Sequence, residues 1–187
     1  RTRVVTIESP LVPVPADEAP LPAEADIAAP WLRKLEEEAA RPVVTIPRTL
    51  SSKGLPGRDN AISDLICRAL AWKAGVPVAL HGTLSGESWN AGETLDEAML
   101  FRTIPYENYL TVAELTPGEI REVIQEQLAL NRSYTYNGIY GVNVTVDEAT
   151  WKVLAISFPD RPVAPNERLG VALSSYNAAG GGGRYPI

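Results

Sequence analysis

The side chains that most often do chemistry are scarce in this 187-residue chain. There is one cysteine, Cys67, and one histidine, His81. A zinc site built from Cys and His needs several such ligands converging on one ion, so it is excluded. One cysteine cannot close an internal disulfide, and any histidine-based acid–base pair must use His81. With no second histidine or carboxylate at ligand spacing, His81 is expected to pack, or to contact a ligand from a loop, and not to hold a metal. The aromatic residues offer more. Tyr176 ends an apolar run, and Gly180-Gly181-Gly182-Gly183 begins four residues later. Glycine lacks Cβ, so the backbone can take positive φ and a ligand can approach the main chain. A tyrosine ahead of such a loop offers a flat face for a planar ring, worth about 1–3 kcal/mol per stacked base. The same residues also fit a buried tyrosine followed by a flexible tail.

The elements that must position these residues are readable in part. Asp59 or Asn60 can cap a helix whose apolar positions are Ile62, Leu65, Ile66, Ala69 and Leu70, with Gly75 as its stop. Cys67 lies in that helix as a small core residue. Val76–Leu80 reads as a short buried strand, Thr94 as the start of a brief helical turn, and Leu110–Leu115 as another strand. Thr116, Pro117 and Glu119 form a capping box with proline at the first helical position. Ile120, Val123, Ile124 and Leu128 then give the buried stripe of a helix ending near Asn131. Strands at Val142–Val146 and Val153–Phe158 are joined by Asp147–Trp151, and a last strand, Leu169–Ser175, runs into Tyr176.

The first fifty residues differ. Eight of the sixteen prolines lie there, and Pro10–Glu24 is rich in proline and acid, which predicts extended linker. Arg3–Ile7 reads as a strand. A short helix is expected from Asp26, with Trp31, Leu32 and Leu35 as packing positions and Glu36-Glu37-Glu38 as a solvated face. Residues 1–52 therefore read as a connector arm and 53–187 as a compact α/β (α+β) domain. The chain starts at Arg1 with no signal-peptide pattern, which reads as a piece of something longer. Its formal charge of −6 and lack of a Lys/Arg cluster argue against a nucleic acid polymer. No apolar run reaches the ~18–20 residues that span a bilayer, so no membrane partner is expected.

The order of these elements resembles the C-terminal domain of the 5′-nucleotidase family, and that of its 2′,3′-cyclic-nucleotide 2′-phosphodiesterase branch. Three segments carry the resemblance, which covers about Asp59 onward. They are Pro105-Tyr106-Glu107-Asn108 running into strand and capped helix, the strand entry Gly138–Asp147, and Tyr176-Asn177-Ala178-Ala179-Gly180-Gly181-Gly182-Gly183. The resemblance implies mixed sheets with flanking helices. It also implies an N-terminal metallophosphatase domain holding two divalent metals, while this domain takes no cofactor and sandwiches the base of a nucleoside or nucleotide between two rings. One ring would come from Tyr176 and the other from Tyr106, with Tyr109 as the alternative. Asn108, Asn177 and Gly180–Gly183 would complete the substrate site, with His81 as a further loop contact. No catalytic residue or metal ligand is expected in this chain, and a periplasmic or extracellular location is implied.

Two departures stand out. Where the family has Asn-Gly-Gly-hydrophobic-Arg, this chain has His81-Gly82-Thr83-Leu84-Ser85, so the substrate-holding Arg is replaced. The family's Asp in the terminal glycine motif falls on Gly182. Other expectations therefore stand beside nucleotide recognition: a domain of a thiohydrolase or phosphodiesterase of the same superfamily, or a non-catalytic binding domain that lost the nucleotide contacts.

Overall fold

The computed structural model describes residues 21–54, 60–81, 86–130 and 138–181. The chain divides into two units, Arg1–Ala40 and Arg41–Ile187. Among the described residues, no helix is long and apolar enough to cross a membrane.

In the first unit, helix α1 spans Pro22–Ala39. It is longer than the expected helix from Asp26 and takes up Pro22–Glu24 of the expected linker. Pro22 sits at the helix start, where its missing N–H costs nothing, and the Ala, Glu and Leu that follow are good helix formers. Trp31, Leu32 and Leu35, expected to pack, are exposed, and no residue of α1 is buried. The expected strand at Arg3–Ile7 and the rest of the linker lie outside the described residues.

The second unit begins with strand β1 (Pro42–Thr45), which pairs antiparallel with β3 (Thr94–Asp96). Ile46, next to β1, is buried with Ile62, Ile66, Trp89 and Leu95. Residues that composition assigned to the arm thus belong to this folded unit. The helical turn expected at Thr94 is strand β3, followed by helix α3 (Glu97–Thr103). Asp96 caps α3 by accepting the Met99 N–H at 2.7 Å, so the turn begins three residues later than its sequence suggests.

The central sheet has the order β4-β8-β2-β5: Leu110–Leu115, Leu169–Ser174, Val78–His81 and Gly138–Tyr140. β8 runs parallel to β2 and antiparallel to β4, and β5 runs antiparallel to β2. Because side chains alternate across a sheet, the two faces can be built differently. Ala79 and Ala172 cluster with Cys67 and Ala71 of helix α2 (Ala61–Ala74), where small residues bring helix and sheet close. Gly138 is required there, since a Cβ would lie 2.1 Å from Ser63 Oγ. The larger Val78, Leu80, Leu169 and Val171 pack with Ile120, Ile124 and Leu128 of helix α4 (Pro117–Leu130).

Both helices start, and α2 stops, as their sequences dictate. Asn60 Oδ1 accepts the Ser63 N–H at 2.9 Å, and Gly75 ends α2 at φ 66°. Glu119 accepts the Thr116 N–H at 2.7 Å, while Thr116 Oγ1 accepts the Glu119 N–H at 3.3 Å, completing the capping box. Strands β6 (Asn143–Asp147) and β7 (Lys152–Ser157) form the expected hairpin. Gln125 of α4 fixes it, accepting the Val153 N–H at 2.8 Å and donating to the Trp151 carbonyl at 3.1 Å.

Candidate functional site

The sheet's register brings the distant motifs to one end. β2 and β8 run parallel, so both carboxyl ends point the same way, and β4 starts where β8 stops. Leu110 pairs with Ser174, and the ladder continues one step past the strands. Ser175 donates its N–H to the Tyr109 carbonyl at 2.8 Å, and the Tyr109 N–H reaches Ser175 Oγ at 3.1 Å. Ser175 Oγ also donates to Asn108 Oδ1 at 3.5 Å. The Asn108-Tyr109 segment is thereby held against the turn that carries Tyr176, although 66 residues separate them.

Beyond β8 the chain makes a single helical turn, α5 (Ser175–Ala178). Ser174 caps it, accepting the Asn177 N–H at 3.3 Å. Gly180 then takes φ 74°, the left-handed conformation that closes a helix and favours glycine. Tyr176, Tyr109 and Tyr106 are 51, 84 and 64% exposed, so none of the three rings belongs to the core. Of the two partners considered for Tyr176, Tyr109 is tied directly to its turn, and Tyr106 lies three residues earlier on the same segment.

Gly181 is placed differently from expectation. A Cβ there would lie 2.6 Å from both Cδ2 and Cε2 of Tyr176 and 2.5 Å from the Tyr176 carbonyl oxygen. The space that glycine opens at this position is filled by the tyrosine itself, so Gly181 shapes the Tyr176 platform. Gly182 and Gly183 lie outside the described residues.

Two further candidates lie deeper in the fold. Asn177, expected at the substrate, is 1% exposed and faces inward. Its Oδ1 accepts from Ser174 Oγ at 2.8 Å and lies 3.4 Å from His81 Nδ1. Successive residues of a helical turn are rotated by about 100°, so Asn177 points into the fold while Tyr176 points out. His81, expected to pack or to contact a ligand from a loop, is the last residue of β2 and is 3% exposed. Its carbonyl accepts from Ser63 Oγ and Cys67 Sγ, each at 3.2 Å. Burial pushes the Cys67 thiol up to about 12, so it stays protonated and is no nucleophile. The Asn177 Nδ2 donor is buried without a partner among the described residues. Ser174 and Ser175 were missed by sequence reasoning; the capping preference of serine after a strand was the available signal.

What this end of the sheet can offer is stacking surface and hydrogen bonds. Among the described residues, no cluster of three or more His, Cys, Asp or Glu could hold a metal ion.

Comparison with known proteins agrees with the architecture. The solved structure of a 5′-nucleotidase precursor from Thermus thermophilus superposes with a TM-score of 0.68 at 17% identity, covering 85% of this chain and 34% of that one. An NAD nucleotidase from Haemophilus influenzae gives 0.64 at 14% identity, over 84% of this chain and 32% of that one. A sulfate thiohydrolase from Thermus thermophilus gives 0.63 at 16% identity, over 81% and 30%. The chain therefore spans about a third of the length of these structures, which at such identities share its fold. No curated protein matches it. The family model of the 5′-nucleotidase C-terminal domain matches residues 38–187, and on that match this chain belongs to the 5′-nucleotidase C-terminal domain family.

Proposed function

We propose that this chain is the substrate-recognition part of a metal-dependent nucleotide phosphohydrolase, binding the base of a nucleoside or nucleotide at Tyr176. The observation that carries this reading is the pair of hydrogen bonds joining Tyr109 to Ser175, which sets an exposed tyrosine beside the exposed Tyr176. Two aromatic faces on adjoining loops suit a planar heterocycle, and stacking tolerates any base. Tyr106 and Asn108 are the further contacts on that segment. Asn177 and His81 support the turn from beneath, and Gly180 and Gly181 shape it.

Residues before Arg41 would connect this unit to an N-terminal metallophosphatase domain of the same polypeptide. That domain would supply two divalent metals to activate water and neutralise the phosphate. Export to the periplasm or cell exterior fits a family whose Thermus member is described as a precursor. Isothermal titration of the chain with adenosine, uridine and their monophosphates tests the reading. Binding in the micromolar to millimolar range that Tyr176→Ala weakens supports it, and no binding at high millimolar overturns it.

A second reading has its own support. The Arg and Asp of the family's substrate motifs are replaced by Ser85 and Gly182, and a sulfate thiohydrolase shares the fold. A domain serving another metallophosphoesterase, or a binding domain that no longer takes nucleotides, would show intact folding and no nucleoside binding in the same titration.

A further inference from the structure

A second feature of the Arg41–Ile187 unit has none of the stacking tyrosines among its lining residues. Between β1 and its following loop, α2 and α3 there is a cavity of about 740 Å³. That volume falls within the roughly 300–1,000 Å³ of small-molecule sites, which are apolar with a few placed polar groups. Its floor reaches the buried core: Ile46, Ile66, Trp89 and Leu95 belong both to the core cluster and to the cavity wall. The one polar atom of the Trp89 side chain is already used, since Nε1 donates to Thr103 Oγ1 at 3.1 Å, so the indole presents only hydrocarbon.

The charged groups of the lining are unbalanced. Asp64 is the one acid among its described lining residues, and it accepts from Arg68 Nε at 2.9 Å. Arg48 and Lys73 also line the cavity, are exposed, and make no ion pair among the described residues. The cavity therefore has an apolar interior and two cations with no ion pair among the described residues, on a chain whose formal charge is −6. Burying apolar surface favours any alkyl occupant. The cations choose its headgroup.

We propose that this cavity binds a single-chain amphipathic carboxylate, its alkyl chain against the apolar wall and its carboxylate at Arg48 and Lys73. A cationic amphiphile would meet repulsion at the same rim. A polar ligand such as a nucleotide would find almost nothing on the interior wall to replace its lost hydration. A second copy of the chain docked by a two-fold axis would bring the same cations toward one another.

The test uses the full chain and dodecanoate below its critical micelle concentration, followed by titration calorimetry. The expected result is one saturable site. Ala69→Trp places a large ring in the cavity from the exposed face of α2, without touching the core, and is expected to abolish binding. Reversing both cations, Arg48→Glu with Lys73→Glu, is expected to weaken dodecanoate about tenfold, as replacing two screened attractions by repulsions would do. Dodecanol, which has no charge, should bind the reversed variant as well as it binds the parent. The proposal is overturned by an absence of saturable binding, by dodecyltrimethylammonium binding as tightly as dodecanoate, or by indifference to Ala69→Trp. Sedimentation that shows a dimer insensitive to dodecanoate but dissociated by Ala69→Trp would also overturn it, since the cavity would then be a self-interface.

Discussion

The ring edge of Tyr176 lies where a side chain at Gly181 would have to go: a Cβ built on Gly181 falls 2.6 Å from the tyrosine's Cδ2 and Cε2. The two residues are five apart, and the left-handed Gly180 folds the chain back between them. A tyrosine braced in this way is held in place without belonging to the core.

Gly181→Ala should therefore do two things at once. The new methyl must displace the ring, and it also meets the Tyr176 carbonyl oxygen at 2.5 Å, which cannot swing aside as a side chain can. The expected cost is about 1–3 kcal/mol in urea unfolding, typical of overpacking. Nucleoside affinity should fall as well. A variant with wild-type unfolding and wild-type titration would show that the bracing is immaterial.

Tyr176 itself should behave in the opposite way. It is half exposed, so Tyr176→Ala should leave the melting temperature nearly unchanged while weakening nucleoside binding by about 1–3 kcal/mol. Tyr176→Phe should be close to neutral in both assays, because stacking uses the ring and not the hydroxyl. A loss of folding in Tyr176→Ala would assign the residue to support of the turn.

Where local chemistry decides an element, the sequence was enough. Thr116, Pro117 and Glu119 satisfy a helix end by themselves, and α4 begins there. The hairpin β6–β7 likewise needs only its own residues. β1 and β3 are different. Each is three or four residues long, and the partner of Pro42 is Asp96, so the pairing that defines them is invisible in either segment. The proline- and acid-rich surroundings of β1 pointed instead to a linker. The site shows the same division. The aromatic and glycine motifs are visible as composition. The inward turn of Asn177 depends on α5, whose four residues are too few for periodicity to reveal.

The capping box carries a pH signature. Hydrogen bonds from the Thr116 backbone and hydroxyl hold the Glu119 carboxyl below its usual 4.5. A carboxyl depressed in the folded state contributes stability that is present above its unfolded value and lost as pH falls through the folded value. Thr116→Ala removes both the cap and the hydroxyl partner, with an expected loss of about 0.5–2 kcal/mol near neutrality. Urea unfolding of parent and variant should draw closer, without meeting, as pH drops below 4.5, because the bond from the Glu119 N–H to Thr116 Oγ1 does not titrate. A gap that stays constant from about pH 7 to about pH 3 would mean that Glu119 is not linked to folding through Thr116.

Cys67 gives the alkaline counterpart. Its thiol rises from 9.0 to about 12 because burial disfavours the thiolate, against a smaller opposing effect from its hydrogen bond to His81. The folded state thus keeps a proton that the unfolded chain releases, so this contribution is complete below pH 9 and declines as pH climbs toward 12. Thiol reagents should accordingly label the native protein only through unfolding, with a rate that rises in urea along with the unfolded fraction. Cys67→Ala should flatten the alkaline decline between about pH 9 and about pH 10.5 relative to the parent. Rapid stoichiometric labelling near neutral pH without denaturant would contradict the burial of this thiol.

The last prediction concerns turnover. Two-metal ester hydrolysis needs several ligands on each ion, and imidazole is usually among them. This chain has a single histidine, and it is buried, with its carbonyl engaged by Ser63 and Cys67. The chain by itself should hydrolyse neither nucleoside monophosphates nor cyclic nucleotides, with manganese, cobalt or zinc supplied. It should nonetheless bind the nucleoside portion, so that binding and turnover separate in one preparation. Metal-dependent release of phosphate that follows the chain through successive columns, and that a His81→Ala substitution removes, would defeat this division of labour. Activity that parts from the chain on a second column would belong to a contaminant and leave the division standing.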